Sequence, residues 1–299
     1  MLTVRCQHQI HHTTSTLDHR APGCYDGAVI AQTIPFGDTT ARVELPDRTR
    51  IVSRGGGTAG AGGGLQPVAD EAQAVRDALD RPLGLPRIRD LVRPDAKVVI
   101  AFDDPTVTSY GAIRRLAIEG VLAQLADAGV PESNVQLICA NALHRKFTHD
   151  EIATTIGADL VRRFGDRLFC HDAEDRANIV ELGVTPRGYD VELSRHAAEA
   201  DLCVYVNAGL HLGFSGGWKS VAVGLSTWKS IRHTHHPDGM SMSVAHNRMH
   251  DVLNEQGAHI EATLGKRIYK VECVLASPTK VAHVWAGGVA ETRAPGSRN

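Results

Sequence analysis

From residue 67 onward the apolar positions fall into two alternating patterns. Residues 97–102 (KVVIAF), 135–140 (VQLICA) and 201–206 (DLCVYV) are short, nearly continuous apolar runs. Their length and composition predict strands buried on both faces. Residues 67–80 place Val68, Ala72, Val75 and Leu79 at helical spacing. A second helix is predicted near 110–129, closed by Gly129 and then Pro131. Thr148 with Glu151 three residues later predicts a capped helix start. Residues 168–170 (LFC) read as a short strand and 192–200 as a helix, while the stretch around Tyr189 has no clear period. Two further strands are expected at 269–274 and 283–287.

Strands that alternate with helices imply a parallel sheet with right-handed crossovers. Ligands of such sheets gather beyond the carboxyl ends of the strands. That marks four loops, 103–109, 141–146, 171–175 and 207–219, and three of them carry candidate chemistry directly after the strand. The first opens on Asp103, the second holds Asn141, His144 and Arg145, and the fourth holds Asn207, His211 and the segment 213–219 (GFSGGWK).

The amino-terminal quarter is different. Residues 1–27 are polar, rich in histidine and without period, which reads as a leader, with a metal-binding tail as the alternative. Residues 28–52 partly alternate around a turn at Phe36-Gly37-Asp38 and predict a β-hairpin. Residues 55–64 (GGGTAGAGGG) lack the lysine that ends a phosphate loop and read as a flexible connector. The expected division is a leader over 1–27, one domain over 28–290 and a tail over 291–299.

Composition narrows the function classes. A net charge of −2 gives no electrostatic reason to bind nucleic acid or an anionic membrane. No run reaches the ~20 apolar residues a membrane helix needs, and no secretory signal opens the chain. Six scattered cysteines suggest reduced thiols in a cytoplasm.

Two strand-end histidines on neighbouring loops suit proton removal from one side of a carbon and delivery from the other. Gly216 and Gly217 let backbone approach an anion closely, and Lys219 adds a charge or a nucleophilic amine. A plain turn is the alternative. His233, His235 and His236 fit either a metal site or a solvated loop.

The order of these segments resembles the lactate racemase family. The resemblance rests on Pro35-Phe36-Gly37, 78–84 (ALDRPLG), Ala142-Leu143-His144-Arg145, Thr148 to Glu151, 171–173 (HDA), 182–188 (LGVTPRG) and above all 213–219 (GFSGGWK). It implies an α/β, parallel-sheet, Rossmann-like domain with an N-terminal β-hairpin. It also implies a further C-terminal family domain, which would be missing from a chain ending at Asn299.

What the resemblance implies chemically is a nickel-pincer nucleotide, pyridinium-3-thioamide-5-thiocarboxylic acid mononucleotide. Lys219 would tether it covalently, His235 would ligate nickel, and His236 would be the fallback ligand. Asp103, Ser215, Gly216 and Gly217 would complete the cofactor site. The reaction implied is racemisation or epimerisation of a 2-hydroxy acid by hydride abstraction and return, with His144 and His211 as bases and Arg145 on the substrate carboxylate. The family pattern places its second histidine where this chain has Gly209, so His211 stands two residues away. The first loop, Asp103-Asp104-Pro105-Thr106, lacks the arginine that grips a carboxylate in the family. The expected partners are a small hydroxy acid, the cofactor-biosynthesis proteins and a second copy of the chain to exclude water. The alternative is a non-catalytic cofactor-binding module that needs a separate C-terminal half.

Overall fold

The computed structural model describes residues 28–36, 39–50, 65–107, 109–209, 216–236 and 248–296. The leader 1–27, the connector 55–64, His211 and Ser215 lie outside them. The chain divides into two compact units between Gly64 and Leu65. In the first, β1 (Val29–Phe36) and β2 (Thr39–Pro46) form the antiparallel hairpin that alternation predicts.

The second unit opens with α1 (Glu71–Asp80), α2 (Ile88–Leu91), β3 (Val98–Asp103), α3 (Ile113–Asp127) and β4 (Val135–Ala140). It continues with α4 (His149–Ile156), α5 (Ala158–Phe164), β5 (Leu168–Cys170), β6 (Ile179–Val184), β7 (Asp190–Ser194), α6 (Arg195–Glu199) and β8 (Leu202–Gly209). After β8 come α7 (Trp218–Gly224), α8 (Trp228–Ile231), α9 (Arg248–Leu264), β9 (Tyr269–Ser277), β10 (Lys280–Gly288) and α10 (Val289–Gly296).

Six strands form one sheet in the order β10-β9-β8-β3-β4-β5. All neighbouring pairs are parallel except β9 and β10, a hairpin that ends the sheet at one edge. Because side chains alternate along a strand, the sheet builds two cores. Ile100, Phe102, Leu137, Cys139, Val204 and Val271 face one side with α1, α3, α4 and α5. Ala101, Ile138, Cys203 and Tyr205 face the other with Trp218, Val221, Met249 and Leu253. Burying each large aliphatic side chain contributes about 1.5–3 kcal/mol, so the apolar runs lock into these strands.

The capping box at Thr148 and Glu151 is present. Asp70 caps α1 through Gln73 N, so that helix starts four residues later than the apolar spacing suggests. The helix expected at 192–200 is confined to α6; residues 190–194 are strand instead. Val191 and Leu193 are buried, and the segment pairs antiparallel with β6. That pairing wins over a local helical reading and folds the stretch around Tyr189 into a two-stranded ribbon. Among the described residues no helix is long and apolar enough to cross a membrane.

Candidate active site

Polar groups collect on one face of the sheet, at the carboxyl ends of the parallel strands. Asp103 ends β3, where its carboxylate accepts from Tyr205 Oη at 3.1 Å and Ala208 N at 2.9 Å. Burial pushes its pKa up, opposed by Arg114 and by these donors. Asn207 on β8 lies opposite Glu272 on β9, and Tyr205 lies opposite Lys270. The resulting network is dry. Lys270 and Glu272 are both 0% exposed, with Nζ and Oε2 2.7 Å apart. Lys270 Nζ also donates to Gly217 O at 2.7 Å and Ser220 Oγ at 2.8 Å. Glu272 accepts from Asn207 Nδ2 at 2.7 Å and Gly217 N at 3.1 Å. Ser220 Oγ donates to Asn207 Oδ1 at 2.7 Å.

This network fixes the glycine turn that precedes Lys219. Gly216 and Gly217 have φ of 78° and 55°, a region that favours glycine. The Gly217 N–H is already given to Glu272, so the turn faces its own scaffold there. Gly216, Lys219 and Ser220 line a cavity of about 320 Å³. Burial lowers the pKa of the Lys219 amine, with Asp103 and Asp104 opposing.

His144 and His235 line the same cavity, with Asp103, Asp104 and Thr106. The His144 loop is pinned by Ala142 N to Gly224 O at 3.1 Å and His144 N to Asn141 O at 2.8 Å. Ala142 takes φ of 50°, strained for a residue with a Cβ. His144 Nδ1 sits 2.6 Å from Asp104 Oδ2. Asp104 also accepts from Thr106 N at 2.8 Å. Arg114, fully buried, donates to Val107 O and Ser109 O at 2.8 and 3.1 Å and holds that loop from within.

His235 follows α8, which is bolted to the ribbon. Glu192 N donates to Ser230 Oγ at 2.8 Å, and the Glu192 carboxylate takes Thr227 Oγ1 and both amino groups of Arg176. Gln256 Nε2 on α9 donates to Ser230 O at 3.1 Å. His235 Nδ1 lies 3.2 Å from Ile231 O and 2.9 Å from Thr234 Oγ1. Burial first, and Lys219 in addition, lowers the pKa of His235. Of the three histidines in this segment only His235 lines the cavity. His233 Nε2 pairs with Asp190 Oδ2 at 2.8 Å, and His236 Nε2 lies 3.1 Å from His233 O.

The structure therefore brings Asp103, His144, Gly216, Lys219 and His235 to one cavity. Gly217 supports it from behind. Arg145 is not among the lining residues; its guanidinium is forked onto Glu151, at 2.9 Å for one of the two contacts, and stacks over Phe147. Asp104 has a part that sequence reading did not assign, as partner of His144. Lys270 and Glu272 were also missed. Their signal was two charges spaced two apart within the apolar run 269–275 (YKVECVL).

Residues 36–248 match the family model described as the lactate racemase N-terminal domain. The lactate racemase of Lactiplantibacillus plantarum is 28% identical over 222 residues, 73% of this chain and 51% of that protein. The lactate racemase of Thermoanaerobacterium thermosaccharolyticum is 28% identical over 206 residues, 68% of this chain and 46% of that protein. The chain thus spans about half the length of the curated relatives it matches. Among solved structures, the lactate racemase apoprotein from Thermoanaerobacterium thermosaccharolyticum matches with a TM-score of 0.68 at 24% identity, over 90% of this chain and 61% of that one. A Thermotoga maritima protein matches with a TM-score of 0.57 at 17% identity, over 76% of this chain and 57% of that one. With the family model covering most of the described sheet and all the lining residues, the chain belongs to the lactate racemase N-terminal domain family.

Proposed function

We propose that the cavity holds a nickel-pincer nucleotide and serves the racemisation or epimerisation of a 2-hydroxy acid. The observation that carries this reading is the convergence of Lys219, His235 and His144 on one cavity. The donor chemistry fits the group. A lysine whose pKa is lowered by burial keeps more of its amine neutral, as covalent tethering through nitrogen requires. With Nδ1–H of His235 directed at Ile231 O, the Nε2 lone pair is left for a metal. A lowered pKa keeps that ring neutral, the form that ligates.

When bound, the nucleotide supplies a site that accepts a hydride and returns it. This chain's residues handle the proton. Asp104 holds the Nδ1–H of His144, so Nε2 is the basic nitrogen available to take the substrate's hydroxyl proton. Tyr205 and the Ala208 N–H hold Asp103 at the floor, beside the tether lysine. His211 is proposed as the base for the opposite face of the substrate, and Arg145 as a carboxylate-binding group once released from Glu151.

A second reading has its own support. Among the described residues that line the cavity, Lys219 is the one lysine or arginine, and it is assigned to the tether. A carboxylate substrate then lacks a clamp here. On this reading the chain is a cofactor-binding module whose substrate grip comes from a separate C-terminal half.

Co-expression with the cofactor-biosynthesis proteins separates the two. Intact mass, nickel content and racemisation of hydroxy acids are read together. The enzyme reading expects an adduct at Lys219, nickel lost in His235→Ala, and racemisation lost in His144→Ala with the adduct retained. An adduct without racemisation supports the module. No adduct at Lys219 refutes both.

A further inference from the structure

A second cavity, of about 380 Å³, lies at the β5 edge of the sheet, and Cys170 is in its wall. Cys170 is half-buried, and Cys139 on β4 is fully buried. The two are register partners on adjacent parallel strands, so their side chains share a face. Neighbouring strands run about 4.7–4.9 Å apart. That lies inside the roughly 4.4–6.8 Å span of Cα atoms joined by a disulfide. β5 has three residues and, at the edge of the sheet, is paired on one side alone.

The thiol also holds the catalytic loop. Phe147 N donates to Cys170 Sγ at 3.2 Å, and the protonated thiol donates to Phe147 O at 3.5 Å. Phe147 is three residues beyond His144 on the same loop. The electrostatics agree with this geometry. The Cys139 S–H, then the Phe147 N–H, bring the Cys170 thiol down to about 7, while Cys139 is pushed far up by Cys170 and by burial. His149 also lowers the Cys170 pKa, whereas burial and Asp104 raise it.

We propose that Cys170 is a hydroperoxide-reactive thiol with Cys139 as its resolving partner, and that their reversible disulfide loosens the loop bearing His144. In the first step the Cys170 thiolate attacks one peroxide oxygen, the O–O bond breaks, and hydroxide leaves with a Cys170 sulfenic acid formed. In the second, Cys139 sulfur attacks the sulfenic sulfur, the S–O bond breaks, and water leaves with the Cys139 proton. Two thiols lose two electrons and two protons, and hydrogen peroxide becomes two waters. Sγ of Cys170 then turns to Cys139, and Phe147 loses a donor and an acceptor.

The test treats the full chain with hydrogen peroxide and maps its peptides without reductant. The expected product is a Cys139–Cys170 crosslink lighter by two hydrogen atoms and reversed by dithiothreitol. Cys170→Ser removes it, and Cys139→Ser leaves a Cys170 sulfenic acid that dimedone traps. Amide exchange across 141–148 should quicken by about fivefold, the worth of one lost hydrogen bond. Neither readout depends on racemase activity. The proposal is overturned by a crosslink from Cys170 to any other cysteine, by over-oxidation of Cys170 as fast in wild type as in Cys139→Ser, or by a crosslink that leaves exchange across 141–148 unchanged.

Discussion

Replacing Lys270 with methionine removes one charge from a pair that has no contact with water. Both side chains are 0% exposed, and the ammonium has three acceptors, Glu272 Oε2, Gly217 O and Ser220 Oγ, at 2.7, 2.7 and 2.8 Å. Breaking a buried pair from one side costs about 3–5 kcal/mol, because the remaining charge stays in the core. Here Glu272 keeps Asn207 Nδ2 and Gly217 N, so the loss should fall near the low end, about 3 kcal/mol. For a unit of this size 1 kcal/mol moves Tm by about 2–4 °C, so Lys270→Met should melt about 9 °C lower. The double variant Lys270→Met/Glu272→Leu leaves no stranded charge. Its loss should be smaller than the sum of the two singles by more than about 1.5 kcal/mol. Urea melts of the four proteins give the cycle. A Lys270→Met loss below about 1 kcal/mol, or simple additivity, refutes the assignment of the pair as the support of the glycine turn.

Three further outcomes follow from the geometry. Gly257→Ala would gain about 1 kcal/mol on an exposed helix, but here the new Cβ would lie 2.0 Å from Trp218 Cδ2, and overpacking costs about 1–3 kcal/mol or more; a urea midpoint at or above wild type contradicts this. Glu192 is held at about 2, first by Arg176, with Thr227 adding a further donor. Its stabilisation is therefore complete above the unfolded value of about 4.3 and is lost as pH falls towards the folded value. Glu192→Gln should be less stable at neutral pH and should lose less on acidification from about pH 4 to 2, followed by circular dichroism. Asp104→Asn removes the carboxylate that orients His144. On the proposed function it should lower racemisation on the order of 10²-fold with the Lys219 adduct intact, and an unchanged rate would show that this pairing does not matter.

Much of the sheet was legible because β3, β4 and β8 are buried on both faces, and burial on both faces leaves an unbroken apolar run. The α4 start was legible because a capping box is a contact within four residues. The ribbon of β6 and β7 was not. Its buried residues, Val191, Glu192 and Leu193, include a carboxylate whose partners Arg176 and Thr227 sit 16 and 35 residues away. A local window meets that carboxylate as one more helix-favouring polar residue.

The site divides along the same line. His144 and Lys219 were singled out because ligands of a parallel sheet gather on the loops after its strands, and those loops follow the apolar runs directly, whereas His235, beyond α8, was singled out through the family resemblance. What holds them in place was not found, because the supporting pairs join residues distant in sequence. Asn207 meets Glu272 across 65 positions, and Asp104 meets His144 across 40. Yet one part of this support was in the text of the chain. A lysine and a glutamate two apart in an otherwise apolar strand share a face, and that face must be buried if its neighbours are. Two opposite charges forced into the same dry layer have to find each other and their donors there. The strand β9 therefore announced a polar layer, and the register of β8 decided that the layer would lie under Gly217 and Ser220, next to Lys219.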